Sequence, residues 1–436
     1  MQSSDLEALG ALAAAAAAGT TDAAAGTHAA IATRVFDTIG PAADPVRRMH
    51  DGISRAVYRT VRAGVHGSAL HGSRAWARNQ PRDYTPLDAT PAGLVAVGAV
   101  NGIWGDYLVE TQNALAQPMT LRPAAGTCPS AMQPRPAGGG PAITADAPGL
   151  AAAYPEATGR VAVFLHGLCE TELAWNGVDL SRKQRPAEPP VPFGDRLRDD
   201  LDFTAVYVRF NSGARISQNG RDLSALLDQL VHHWPVHIDE LVLIGHSLGG
   251  LVARSACHYG EIDGWDWTER VRHVFCLGSP HLGADLEKGV HLLDWALGQF
   301  PETRALGGLL RRRSVGVKDL RFGAVTEADW DGHDPDEFLK DRCQETPFLP
   351  SAHYYFVGAQ LSDGPLGRAL GDLLVRDPSA SGIGRSREVK FKVEHGLRLT
   401  GLNHFDLLTH PDVYAQLRSW IERVGFAAAA EVAALD

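Results

Sequence analysis

From residue 160 onward, apolar runs of strand length recur: "RVAVFLHG", "FTAVYVRF", "LVLIGHS", "VRHVFCLGSP", "HYYFVGAQ" and "EVKFKVEH". A strand with one face in water alternates apolar and polar residues, because successive side chains point to opposite faces. These runs are continuous, so both faces should be covered. Helix-length stretches separate them, and strands joined by helices make parallel βαβ crossovers. The expected fold class is α/β, built on a mostly parallel sheet.

The front of the chain has a different rhythm. Apolar residues recur at helical spacing from Ala29 to Val65 (Ile31, Val35, Ile39, then Val46, Met49, Ile53, Val57, Val61), and Pro41 and Pro45 divide the pattern into two helices. A third helix is predicted between Pro91 and Ala116, with Leu94, Val97, Val100, Trp104, Leu108 and Leu115 available for one face. Residues 1–27 are rich in Ala, Gly and Thr with little periodicity, which predicts a mobile tail or, on alanine's helix propensity, a frayed helix. Between Pro118 and Pro148, prolines and glycines punctuate the chain ("PRPAGGGPA"), so a linker is expected, with "MTLR" and "PAITAD" as short edge strands. The organisation predicted is thus an N-terminal helical region (1–117), a linker or edge-strand segment (118–150) and an α/β domain (151–436). The interval between Ser279 and His353 is too long for one crossover and carries helical patterns at Leu286–Phe300 and Arg304–Leu310. Residues 284–350 are therefore expected to cap the sheet's carboxyl edge.

Composition narrows the partners. A formal net charge of −10 disfavours non-specific attraction to nucleic acid or an anionic bilayer, so small or neutral substrates fit better. Arg311–Arg313 reads as a solvated face. The five cysteines (Cys128, Cys169, Cys257, Cys276, Cys343) form no CxxC pair and read as reduced, packed thiols. "VHHWPVH" (His232, His233, His237) lacks metal-ligand spacing and reads as a helix terminus, so no metal site is expected. Asp5 and Glu7 precede the alanine run at Ala11–Ala18, where a secretory segment would carry positive charge. No transmembrane segment is expected, and the cytoplasm is the expected compartment.

The chemistry concentrates in "LVLIGHSLGGLVARSACHYG", where a strand turns through Gly-His-Ser-Leu-Gly into a helix. Glycines at 245 and 249 allow close approach of strand and helix, the turn thrusts the Ser247 hydroxyl outward, and the helix brings its positive end toward any anion formed there. This G-x-S-x-G corner resembles the nucleophile elbow of the α/β-hydrolase superfamily, in particular its lipase and esterase branch. The resemblance covers about residues 160–424 and implies an α/β-hydrolase fold with Ser247 as nucleophile. His246 reads as a packing residue. A serine hydroxyl needs a base to take its proton, and the tetrahedral oxyanion needs prepositioned donors.

By the same resemblance, His166-Gly167-Leu168 is similar to the family's HG loop, so the backbone N–H groups of Leu168 and Leu248 form the oxyanion hole, and His166 itself is structural. The order nucleophile, acid, histidine places the base in "LNHFDLL", as His404, with His395 and His410 as alternatives. "GDLLVRDPSASG" resembles the family's "GDGLV" element and makes Asp372 the acid, with Asp377 and Asp363 as alternatives; Leu373 stands where glycine is commoner. "GSPHLGA" (Gly278–Ala284) resembles a loop shaping the pocket wall, and "HLLDWALGQF" supplies either a cap helix for an acyl chain or ordinary core. The reading is a serine hydrolase of carboxylic esters or lipids that needs no cofactor. Alternatives are an acyltransferase on the same acyl-enzyme, or a non-catalytic binding protein of this fold. Residues 1–117 resemble no known family.

Overall fold

A computed structural model describes residues 3–39, 44–78, 87–123, 141–176, 190–284, 314–332, 341–360, 375, 377–384 and 387–433. Among them the apolar runs become strands β1 (Thr120–Arg122), β2 (Arg160–Leu165), β3 (Thr204–Arg209), β4 (Glu240–His246), β5 (Val271–Leu277), β6 (His353–Gln360) and β7 (Gly396–Thr400). They form one sheet in the order β1-β3-β2-β4-β5-β6-β7, with β1 antiparallel to β3 and the other pairs parallel. "MTLR" thus supplies an edge strand, and Leu121 also bridges to Ile143 of "PAITAD". The helices used below are α1 (Ser3–Ile39), α2 (Asp44–Arg78), α3 (Pro91–Glu110), α4 (Ala147–Ala153), α5 (Phe193–Leu201), α6 (Ile216–His233), α7 (Leu248–Asp263) and α8 (Pro411–Ala433).

The continuous apolarity is explained by two cores. Val161, Val163 and Leu165 of β2 and Leu241 and Leu243 of β4 face one side, under Leu223 and Leu227 of α6 and Leu251 of α7. The residues between them, Ala162, Phe164, Val242 and Ile244, face the other side, under Phe193 and Leu197 of α5 and Leu417 and Trp420 of α8. Each of the valine, leucine, isoleucine and phenylalanine side chains contributes about 1.5–3 kcal/mol on burial, and helices on both faces require the parallel crossovers.

One expected strand lies elsewhere. "EVKFKVEH" is not a strand: Glu388 bridges to Ile383, Val393–His395 form a 3-10 turn, and β7 starts only at Gly396. That run alternates rather than being continuously apolar, and its apolar positions do not share one buried face: Val389 is 2% exposed and Val393 94%. Gly396 is where the chain can join β6, since a Cβ there would stand 2.4 Å from the Phe356 ring.

The N-terminus also differs from a mobile tail, because α1 begins at Ser3 and runs for 37 residues. Alanine's propensity supplies the helix, and α2 supplies the partner. Contacts of Gly10 with Ser73, Asp22 with Arg62 and Asp37 with Arg47 make the two helices an antiparallel pair. Asp5 accepts the Leu87 N–H (2.8 Å), and Asn113 donates to the Ala8 carbonyl (3.2 Å), tying the start of α1 to the segments flanking α3. The predicted cap helices at 286–300 and 304–310 lie outside the described residues.

Two helical stretches, Ser4–Thr33 and Pro91–Glu110, are long and apolar enough to cross a membrane by length and composition. For α3 the structure gives another reason for that composition. Its glycines lie against the loops that follow β2 and β3: a Cβ on Gly102 would stand 2.3 Å from Cys169 Sγ, and one on Gly105 would stand 1.9 Å from Asn211 Oδ1. The helix is kinked at Trp104 (φ −132°, ψ 25°). External donors take the carbonyls around the kink: Ser314 Oγ donates to Gly102 (2.6 Å), the Ser314 N–H to Ile103 (2.9 Å) and Asn211 Nδ2 to Gly105 (2.9 Å). Gly102→Val should overpack this contact and destabilise the protein by about 1–3 kcal/mol; urea unfolding monitored by tryptophan fluorescence would measure the loss.

Candidate active site

The sheet order reverses direction between β2 and β4: the chain leaves β2 toward β3 on one side and leaves β4 toward β5 on the other. In open α/β sheets, a crevice forms at such a switch point, beyond the strands' carboxyl ends. His166-Gly167 follows β2 there, and His246-Ser247 ends β4 and turns into α7.

Ser247 occupies φ 52°, ψ −120°, which an L-residue adopts only under strain of about 1–3 kcal/mol. Both flanking glycines are required by space rather than by φ. A Cβ on Gly245 would stand 2.3 Å from the Gly250 nitrogen, and one on Gly249 would stand 2.5 Å from the Leu165 oxygen. The Ser247 N–H donates to the Leu277 carbonyl (2.7 Å), anchoring the corner to β5.

The two expected donors stand among N–H groups that are already committed. Gly167 donates to Glu170 Oε2 (2.6 Å) and Cys169 to Ser212 Oγ (3.1 Å), while the Leu168 N–H between them has no acceptor among the described residues. Leu248 opens α7, where first-turn N–H groups have no intrahelical partner. A Cβ on Gly167 would stand 3.1 Å from Ser247 Cβ, so this loop and the elbow touch. His166 is spoken for: the Phe210 N–H donates to its Nε2 (3.2 Å), so Nδ1 carries the proton and donates to the Gly167 carbonyl (2.9 Å). Burial holds this ring below the usual histidine range, so it stays neutral.

His404 starts a 3-10 turn that its neighbours build. The Asn403 side chain accepts the N–H groups of Phe405 (2.9 Å) and Asp406 (3.2 Å), and Asp406 accepts the Asn403 N–H (2.9 Å). This capping box turns the His404 ring, 2% exposed, toward the corner after β5. A Cβ on Gly278 would stand 3.0 Å from the ring, and Gly278 directly follows the residue that anchors Ser247. Ser247, His404, Leu168 and Leu248 therefore converge on one crevice.

The alternative bases do not reach it. His395 sits at the amino end of β7, bonded to the Tyr354 carbonyl (3.1 Å), on the sheet edge opposite Ser247. His410 accepts the Asp412 N–H (3.3 Å) at the start of α8. Asp372 and Asp363 lie outside the described residues, and Asp377 is placed only by its backbone, at the start of a helical turn. His232 and His233 end α6. His281, in the presumed pocket-wall loop, is fully buried against Arg254 (3.1 Å), and burial with that cation holds its ring well below the usual range.

Three charged residues escaped the sequence reading. Glu170 and Glu172 follow the HG loop on either side of Thr171, and Arg209 ends β3, where a charge in an apolar run is the signal that marks it. Arg209, 2% exposed, donates from Nε to Glu172 Oε2 (2.8 Å) and from Nη2 to Oε1, and its Nη1 reaches Asp88 (3.4 Å) ahead of α3. Glu170 pairs with His246, which is fully buried.

Residues 210–318, from the end of β3 through the elbow to β5 and beyond, match the PGAP1-like alpha/beta domain family. No curated protein matches the chain. Among solved structures, a mature-form lipase from Bacillus licheniformis aligns at 18% identity and TM-score 0.36, over 57% of this chain and 86% of that one. Staphylococcus hyicus lipase aligns at 13% and 0.34, over 62% and 97%. An esterase from Pyrobaculum calidifontis aligns at 13% and 0.33, over 63% and 76%. The sheet order, the antiparallel first strand and the strained serine corner, with the PGAP1-like match over the elbow, make this a fold of the α/β-hydrolase type.

Proposed function

We propose that the protein is a serine hydrolase that cleaves carboxylic esters. The observation that carries this reading is the strained Ser247 backbone at the sheet's switch point, where the residue is half-buried rather than enclosed. Ser247 Oγ attacks the acyl carbonyl while His404 takes its proton, and His404 returns that proton to the departing alcohol. Water, deprotonated by His404, then attacks the acyl-enzyme, and His404 passes that proton to Ser247 Oγ as the acyl–oxygen bond breaks and the acid leaves. The Leu168 and Leu248 N–H groups receive the oxyanion in both steps. Asp372 is the proposed carboxylate behind His404. Helix α3, held by Ser314, lies against the loops after β2 and β3 that flank this corner.

The test pairs a fluorophosphonate label with p-nitrophenyl esters of increasing chain length. Stoichiometric labelling mapped to the Ser247 peptide, together with ester turnover, is the expected result. Labelling at another residue, or no turnover across the panel, would sink the reading.

A further inference from the structure

His246 is one residue from the proposed nucleophile, is fully buried, and is bonded at both ends of its ring. Its Nε2 lies 3.2 Å from the main-chain oxygen of His404. A carbonyl oxygen only accepts, so Nε2 carries a proton. Its Nδ1 lies 2.9 Å from Glu170 Oε2, and that same oxygen accepts the Gly167 N–H at 2.6 Å, a length typical of a charged acceptor. With Nε2 already a donor, an ionised Glu170 requires a proton on Nδ1 as well.

The Glu170 environment fits the ionised form. Burial pushes its carboxyl upward, but the His246 charge and hydrogen bond and the Gly167 N–H outweigh this and hold it below the usual carboxylate range. Gly167 to Glu170 is itself a turn, closed by the Glu170 N–H on the Gly167 carbonyl (3.3 Å), with Cys169 at φ 62°. A positive φ at the third turn position favours glycine and is costly for cysteine. The turn therefore needs an external hold, and the carboxylate folded back onto Gly167 provides it. The segments joined are the loop that presents the Leu168 N–H, the serine corner and the turn bearing His404. The His246 and His404 rings are 4.7 Å apart, and the Trp175 and Phe405 rings lie 6.4 and 6.2 Å from His246.

We propose that Glu170 and His246 form a buried ion pair that locks the oxyanion loop to the main chain of His404, making both of them positioning residues for acyl transfer at Ser247. The inference rests on the hydrolase reading above. Neither residue touches the substrate in this scheme. The pair sets the distance between donors and base, and a misplacement of about 1 Å there costs roughly 100-fold in rate.

The test compares Glu170→Ala and Glu170→Gln in the full chain. Glu170→Ala should lower kcat and the fluorophosphonate labelling rate by about 30- to 100-fold with KM within about threefold, because the donors shift while the acyl pocket remains. Glu170→Gln should recover only part of that loss: the single oxygen that takes both bonds becomes either an amide oxygen, which accepts from Gly167 but cannot donate to Nδ1, or an NH2 group, which does the reverse. Nitrogen-15 NMR of labelled histidines supplies a readout free of activity: at pH 7 the wild-type His246 ring, assigned by its loss in His246→Gln, should carry two N–H protons, and in Glu170→Gln only one. Unchanged kcat and labelling in Glu170→Ala, or a single N–H on the wild-type ring, would overturn the proposal. Wild-type protein that resists the phosphonate would instead count against the hydrolase reading, while the NMR arm still decides the ion pair.

Discussion

Replacing Ser247 with alanine is expected to lower kcat for a short p-nitrophenyl ester by about 10⁴- to 10⁶-fold, with the far-UV circular dichroism unchanged. The loss should be that large because the remaining donors and base only assist an attack that the hydroxyl itself must make. Ser247→Gly sharpens the result. Glycine takes φ 52°, ψ −120° without the Cβ penalty, so this variant should be equally inactive yet more stable than wild type by about 1 kcal/mol in urea unfolding. A gain in stability with loss of activity would identify the corner as strain kept for chemistry. Turnover within tenfold of wild type in the alanine variant would remove Ser247 from the mechanism.

The second large effect concerns stability. Arg209→Met should destabilise the fold by about 3–5 kcal/mol at pH 7, because it leaves the Glu172 carboxylate buried without its charged partner. The pH dependence follows from Glu172. Burial raises its carboxyl, but the Arg209 hydrogen bonds and charge outweigh this and hold it below the usual range near ~4.3. A depressed folded-state value means that the pair's contribution is fully present above the unfolded-state value and is lost as pH falls through the folded one. Without Arg209, burial dominates and Glu172 protonates more readily. The gap between variant and wild type should therefore be widest at neutral pH and narrow below about pH 4. Guanidinium unfolding at pH 7 and pH 4 would measure it, and a gap independent of pH would show that the carboxylate is not the buried charge involved. Because Asp88 also reaches Arg209, the variant should loosen the approach to α3 as well.

Much of the fold is legible in the residues because burial on two faces leaves a local mark. β2 to β6 fall on the continuous apolar runs, since their central positions are covered on both faces whichever way they point. The same logic separates off Glu388–His395, where apolar residues alternate with lysines and burial stops before Val393, in a 3-10 turn. The full length of α1 leaves no mark in the residues, because alanine, small on every face, gives no periodic signal; its helix is fixed by α2 lying alongside.

At the candidate site, Ser247 was readable because a tight strand-to-helix corner demands glycines at fixed offsets, and those are sequence features. The setting of His404 was readable through Asn403 and Asp406, which cap its turn from one and two residues away. Glu170, Glu172 and Arg209 gave weaker signals, since a charge in an apolar stretch does not say which distant residue neutralises it. What the sequence determined alone is whatever short-range geometry enforces: strand against helix, and the strained corner. Tertiary structure decided the rest, namely which loops meet at the switch point, that α3 lies against them, and that His246 joins Glu170 to His404. The reason is physical: a buried charge or an open N–H acquires meaning only from partners brought together by folding, and their separation along the chain leaves no local trace.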